Sequence, residues 1–173
     1  MPIKLESKAP PVVMRRIAEL ESKLAFKFPE QYQDFLLAFN VAVPEANQFV
    51  TPTAVTSVDL FFGISSNPLN DLYEQNAVVY GGRLPRGFLA IATAGGGDLI
   101  CMSLPVGSIF LWDHEREGRD DAAPGLANLQ LLASSLDEFL RALQPRTMEA
   151  PVDAQVISVQ VKAGFAEKFK KFM

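Results

Sequence analysis

Reactive side chains are scarce in this chain. Among its 173 residues stand one cysteine, one histidine and one tryptophan. A lone Cys101 excludes an internal disulfide, and the lack of a disulfide framework points to a reducing compartment. One histidine and one cysteine exclude a zinc site of the usual ligand spacing. No Gly-x-Ser-x-Gly elbow is present to raise a serine nucleophile. No apolar run reaches the length a membrane span needs. The opening residues Met1–Glu6 lack the apolar core of a signal peptide, so a cytoplasmic location is expected. An excess of basic residues is missing too: 16 Lys and Arg stand against 20 Asp and Glu, for a formal charge of −4. That balance argues against direct nucleic-acid binding and leaves a basic protein partner open.

What is present reads as an ordinary globular chain, 49% apolar and 21% charged, of a size that suits one domain and a tail. Pro10 and Pro11 are expected to open a first helix, with Val13, Ile17, Leu20 and Leu24 recurring along one face. Phe28-Pro29 ends it and starts a second, PEQYQDFLLAFN, with Tyr32, Phe35, Leu36 and Phe39 as its stripe. Glu30 suits the first turn, and Asn40 is the expected C-terminal cap. SVDLFFG (57–63) reads as a strand. Asn67-Pro68 reads as cap and first turn of a short helix that turns Leu69, Leu72 and Tyr73 inward. FLAIAT (88–93), LICMSL (99–104) and IFLWD (109–113) read as three strands. Their short connections demand an antiparallel meander, because parallel neighbours need a long crossover. Ser135-Leu-Asp-Glu138 is a capping box that opens a last helix, with Leu136, Phe139, Leu140 and Leu143 inward and Pro145 as its stop.

Three glycines, Gly95–Gly97, raise the question of a phosphate loop. Such a loop runs from a strand through glycines into a helix, whose N-terminus supplies the N–H groups. Here the glycines lead into the strand-like LICMSL, and no Lys-Ser or Lys-Thr follows. The expectation is a hairpin in which glycine supplies positive φ angles, with Asp98 at its end.

His114 is the one residue on which a catalytic triad or a dyad with Cys101 would have to draw, yet Cys101 sits in an apolar run that reads as core. The plainer reading of His114 is a hydrogen-bonding residue at a strand end. Asp113, Glu115, Glu117, Asp120 and Asp121, interrupted by Arg116 and Arg119, fit either a solvated loop or a hard-cation site, although the spacing is not that of an EF-hand. Trp112 fits either a core position or an exposed anchor. These readings give no catalytic residue, no metal ligand and no cofactor.

The order of features resembles the SMI1/KNR4 family, also called the SUKH superfamily. IAELESKLAFKFP running into PEQYQDFLLAFN is similar to the family's opening helices. GFLAIATAGGGDLICMSL is similar to its central strand pair, SIFLWDHE to its strand ending Trp-Asp-His-Glu, and SSLDEFLRAL to its closing helix. The similarity covers about Val12 to Leu143. One departure is Val41 after Asn40, where the family often has Asn-Gly. The resemblance implies an α+β fold with a central, mostly antiparallel sheet flanked by helices. It implies a non-enzymatic binding module, in bacteria most often an immunity protein that neutralises a toxin of a contact-dependent or polymorphic system. An intracellular regulatory or scaffolding domain is the alternative. An acidic surface suits a basic toxin, because charge complementarity speeds association. The candidate contacts are Asp98, Trp112, Asp113, Glu115, Glu117, Asp120 and Asp121.

The division expected is a domain over 1–144 and an extension over 145–173. Within the extension QVISVQV (155–161) alternates as a strand, and Phe165, Phe169 and Phe172 mark a short amphipathic helix. The extension is expected to pack on its own domain or on a second subunit of a homodimer. A membrane role is disfavoured by the shortness of that helix.

Overall fold

The computed structural model describes residues 4–52, 55–104, 106–117 and 124–146. Along the chain come β1 (Leu5–Ser7), α1 (Met14–Leu24), α2 (Glu30–Ala38), β2 (Ala42–Pro44), β3 (Gln48–Val50) and β4 (Val55–Phe61). A π-helical segment at Glu74–Val79 follows, then β5 (Phe88–Ala94), β6 (Leu99–Ser103), β7 (Ile109–Trp112), β8 (Leu129–Ala133) and α3 (Leu136–Ala142). The strands make one sheet in the order β1-β2-β4-β5-β6-β7-β8, with β3 also paired to β4. Every pairing in it is antiparallel. The fold is therefore α+β with a central antiparallel sheet, as expected. The strand and helix expected over 155–172 lie outside the described residues. No helix among the described residues is long and apolar enough to cross a membrane.

The middle of the sheet is apolar on both faces, which is why β5 and β6 read as continuous apolar runs. Leu89, Ala90, Ile91 and Ala92 of β5 and Leu99 through Met102 of β6 are all buried. Helix α2 closes over β4 through Phe35 and Phe61, whose ring centroids are 5.1 Å apart, and α3 closes over β3 through Phe139 and Phe49 at the same separation. Helix α1 adds Ile17 and Leu20. Asn76, from the π-helical segment, reaches β5 beyond the last β4 pair, Phe61↔Ala92. There its amide accepts from Ala90 N at 2.8 Å and donates to Ala90 O at 2.9 Å, standing in for a strand neighbour.

Several local expectations shift. Helix α1 begins at Met14, after Pro10 and Pro11 rather than on them, and ends before Phe28-Pro29, at Ala25 in the left-handed region (φ 58°). Val13 is exposed. Asn40 does not cap α2: the helix closes through Phe39 N–H donating to Phe35 O, and it is Val41 that turns left-handed (φ 52°). Val41 thus takes the conformation that glycine would take most cheaply, and its burial compensates. Asn40 instead joins two loops. Its amide donates to Pro10 O at 2.8 Å and Ile64 O at 3.0 Å, and accepts from Ile64 N at 2.8 Å. Gly63 is required beside it, because a Cβ there would fall 2.2 Å from Asn40 Oδ1. The short helix after Asn67-Pro68 starts later, capped by Asp71, whose Oδ1 accepts from Tyr73 N and Glu74 N; Leu69 is left exposed. At α3 the Ser135 hydroxyl accepts from Glu138 N, as a capping box predicts, but the Glu138 carboxylate returns to Ser134 N, one residue further out.

Candidate functional site

The β5–β6 hairpin and the end of β7 bring the candidate acids together. Gly95–Gly97 turn the chain between β5 and β6, with Gly96 at φ 78° and Gly97 at φ 95°, so the glycines do make a hairpin. Ala94 N donates to Asp98 O at 2.9 Å and closes the turn. Leu99 lies opposite Trp112 in the β6–β7 register, so the residues just beyond them, Asp98 and Asp113–His114, meet at the same end of the sheet.

There Asp98 holds His114 twice. Asp98 Oδ1 accepts from the His114 backbone N–H at 3.1 Å and lies 2.8 Å from the ring Nδ1. A carboxylate only accepts, so Nδ1 carries the proton and Nε2 is the ring's outer nitrogen. The hydrogen bond to Asp98 raises the histidine pKa above its ordinary value; partial desolvation opposes this, and the charges of Asp98, Glu115 and Asp113 add to it. Gly97 lies against the ring: a Cβ there would come 3.4 Å from His114 Cε1.

Asp113 opens the short 3₁₀ turn His114–Arg116, its Oδ1 accepting from Glu115 N at 2.9 Å and its Oδ2 lying 3.2 Å from Arg116 Nε. Glu117 is gripped by Arg83, with Nε at 2.8 Å from Oε1 and the terminal nitrogen at 2.5 Å from Oε2. That bond to Arg83 holds the Glu117 carboxyl below its usual range, against the opposing effect of burial. The Arg83 guanidinium also stacks over Tyr80 (5.1 Å) and Trp112 (5.3 Å). Among the described residues, Glu115 is the acid of this group whose side chain makes no bond; it is exposed.

Trp112 has none of its surface exposed. Of its two sequence readings the structure takes the core one, so it presents no anchor to a partner. Its ring packs edge-on to Tyr80 at 5.9 Å. The Asn128 amide, turned to satisfy both of its ends, accepts from the indole N–H at 2.6 Å and donates to Gly125 O at 3.1 Å. Cys101 is likewise wholly buried, and burial pushes its thiol far above the ordinary range, which removes it as a partner for His114. Asp120 and Asp121 lie outside the described residues.

Asp98, Asp113 and His114 each offer a ligand atom within 4.8 Å of the others. All three already bond to protein groups: Asp98 to His114, and Asp113 to Arg116 and the Glu115 N–H. The arrangement is a self-satisfied charged rim at one end of the sheet. Arg83 is the member that sequence reasoning misses. It stands 34 positions from Glu117, and no local pattern announces the pair. The meeting of Asp98 with His114 was open to deduction from the β6–β7 register.

The chain is similar to the SPbeta prophage-derived uncharacterized protein YokK of Bacillus subtilis (strain 168), at 27% identity over 155 residues, covering 78% of this chain and 76% of that protein. Residues 14–142, which run from the start of α1 to the end of α3, match the family described as SMI1 / KNR4 family (SUKH-1). The matched residues include strands β2 to β8, the glycine hairpin and the charged rim, and on that match the chain belongs to the SMI1/KNR4 (SUKH-1) family.

Proposed function

We propose that this protein is an immunity protein: a cytoplasmic, non-catalytic binding domain that neutralises a bacterial toxin by masking it. Family membership across α1–α3 carries the reading. The chemistry of the rim supports it. The Cys101 thiol that could have paired with His114 is buried in the core. A binding module needs only a rigid scaffold and a charged surface, and both are present.

The contact surface is the rim of Asp98, Asp113, Glu115 and Glu117; Asp120 and Asp121, outside the described residues, remain candidates by sequence. Glu115 leads it, because its carboxylate is exposed and engaged by no described side chain, and so is open to a cation of the partner. Rim charges act mainly on the association rate. The test is survival. The neighbouring genes are expressed one at a time in cells; a product that kills should be tolerated when this protein is co-expressed, and Glu115→Lys should weaken that protection without lowering the melting temperature. Failure of the intact protein to protect overturns the proposal.

A further inference from the structure

A second surface, made of other residues, lies between the start of α1 and the segment that follows β4. One wall is the extended stretch from Lys8 to Val12 with Arg16 of α1; the facing wall is Ile64 through Asn67 with Asn70. Asn40 joins the walls at the base through its bonds to Pro10 and Ile64, and it is 3% exposed, so the two sides are fixed relative to one another. The cleft is open to solvent and measures about 670 Å³.

The charges in this cleft are of one sign. Lys8 and Arg16 line it and no carboxylate does. Arg16 meets Glu19 only at 3.7 Å, through Nε, which leaves its terminal nitrogens without a bond among the described residues. Lys8 is ion-paired with Glu6 at 2.5 Å on the surface, so an incoming carboxylate competes with Glu6 for it and Arg16 is the less engaged cation. Ser66 on the opposite wall offers a hydroxyl. A smaller neighbouring recess continues past Arg16 to Lys23, and there the acids are Glu19, Asp71 and Glu74. Asp71 has both oxygens engaged, by Ser65 N on one side and by Tyr73 N and Glu74 N on the other, and Glu19 faces Arg15 and Arg16. Pro10, Pro11, Val12 and Ile64 add an apolar wall beside the two cations.

We propose that this cleft binds a short acidic segment of a partner protein, with a carboxylate side chain on Arg16 and an adjacent apolar side chain against the proline wall. Arg16 supplies the directional contact, since its fork matches a carboxylate with two parallel hydrogen bonds. The protein as a whole is acidic, with a formal charge of −4, so an acidic peptide is repelled at long range and binds only where cations are gathered. This surface goes beyond the immunity reading. Peptide binding is read with purified protein and toxin protection in cells, so either can fail alone.

The test is fluorescence anisotropy of the full chain with a labelled hexapeptide, Glu-Leu-Glu-Glu-Leu-Glu, at low ionic strength. Saturable binding is expected. Arg16→Glu should weaken it at least tenfold. Ser66→Glu, which adds a carboxylate to the other wall at an exposed position, should weaken it comparably. Arg141→Glu on α3 should leave it unchanged, and the peptide with glutamine for glutamate should not bind. Melting curves establish that each variant is folded. Absence of binding overturns the proposal. So does equal weakening by Arg141→Glu, which would mark a diffuse charge effect. Displacement by inorganic phosphate as effective as by unlabelled peptide also overturns it, because the cleft would then be a phosphate site.

Discussion

The Tyr32 hydroxyl is buried in the core, and among the described residues it has no hydrogen-bond partner. Its ring is well placed, edge-on to Phe28 at 5.3 Å and stacked with Phe35 at 6.1 Å, so the aromatic surface contributes while the oxygen is a liability. An unpaired buried polar group costs about 1–3 kcal/mol. Tyr32→Phe keeps the rings and should raise stability by up to about 1 kcal/mol, measured as the urea midpoint; a loss of more than that amount would mean that the hydroxyl has a partner. Ala25 is a second local cost. It is exposed and left-handed at the end of α1, a conformation that costs a residue with a Cβ about 1–2 kcal/mol. Glycine relieves that strain and loses about 0.4–1 kcal/mol through the freer unfolded chain. Ala25→Gly should therefore gain about 0.5 kcal/mol, again read from urea unfolding. Neither feature is legible in the sequence. Tyr32 falls on an apolar stripe where a partner for its hydroxyl would ordinarily be assumed. Ala25 gives no cap signal, and Phe28-Pro29 draws the expected helix end too far along the chain.

Between α1 and α2 the junction is set by a single buried acid. Glu21 accepts from Lys27 Nζ at 2.7 Å, from Phe28 N at 2.8 Å and from Gln33 Nε2 at 2.9 Å. Burial alone raises its pKa, but the bonds from Lys27, Phe28 and Gln33 together outweigh burial and leave it below the ordinary value. A carboxyl whose folded pKa is depressed stabilises the fold above its unfolded value, about 4.3 for glutamate, and that contribution disappears as pH falls through the lower folded value. Glu21→Gln should cost about 1–2 kcal/mol at pH 7, and its difference from the parent should shrink steadily below about pH 4. A difference independent of pH would contradict this account of the junction. The helices themselves are legible, because Ile17 and Leu20, then Tyr32, Phe35 and Leu36, and then Leu136 and Phe139 repeat at helical spacing and are buried. So are β5 and β6, whose apolar runs follow from burial on both faces. β1, β2 and β3 are not legible, because strands of three residues carry no period. β8 is missed for a different reason: at the end of the sheet it has one neighbour, and LQLLA shows no alternation, with Leu131 58% exposed.

At the scale of the molecule, antiparallel topology gathers charged residues at one end of the sheet and leaves a separate cationic cleft beside α1. The rim is half legible. The acids of the WDHE stretch can be read directly, and Asp98 follows from the hairpin, but their neutralisation by His114, Arg116 and Arg83 depends on contacts up to 34 positions apart. The cleft is not legible at all, because Lys8, Arg16 and Ser66 share no motif and meet only through the bonds of Asn40 to two loops. The central claim is that this member of the SMI1/KNR4 family works by binding a toxin. It is tested most directly by mixing the purified protein with a toxic product of a neighbouring gene, then measuring both complex formation and the toxin's activity. The account predicts a one-to-one complex of submicromolar affinity, with toxin activity falling in proportion to the protein added. Full toxin activity in the presence of excess protein, with no complex, would contradict it.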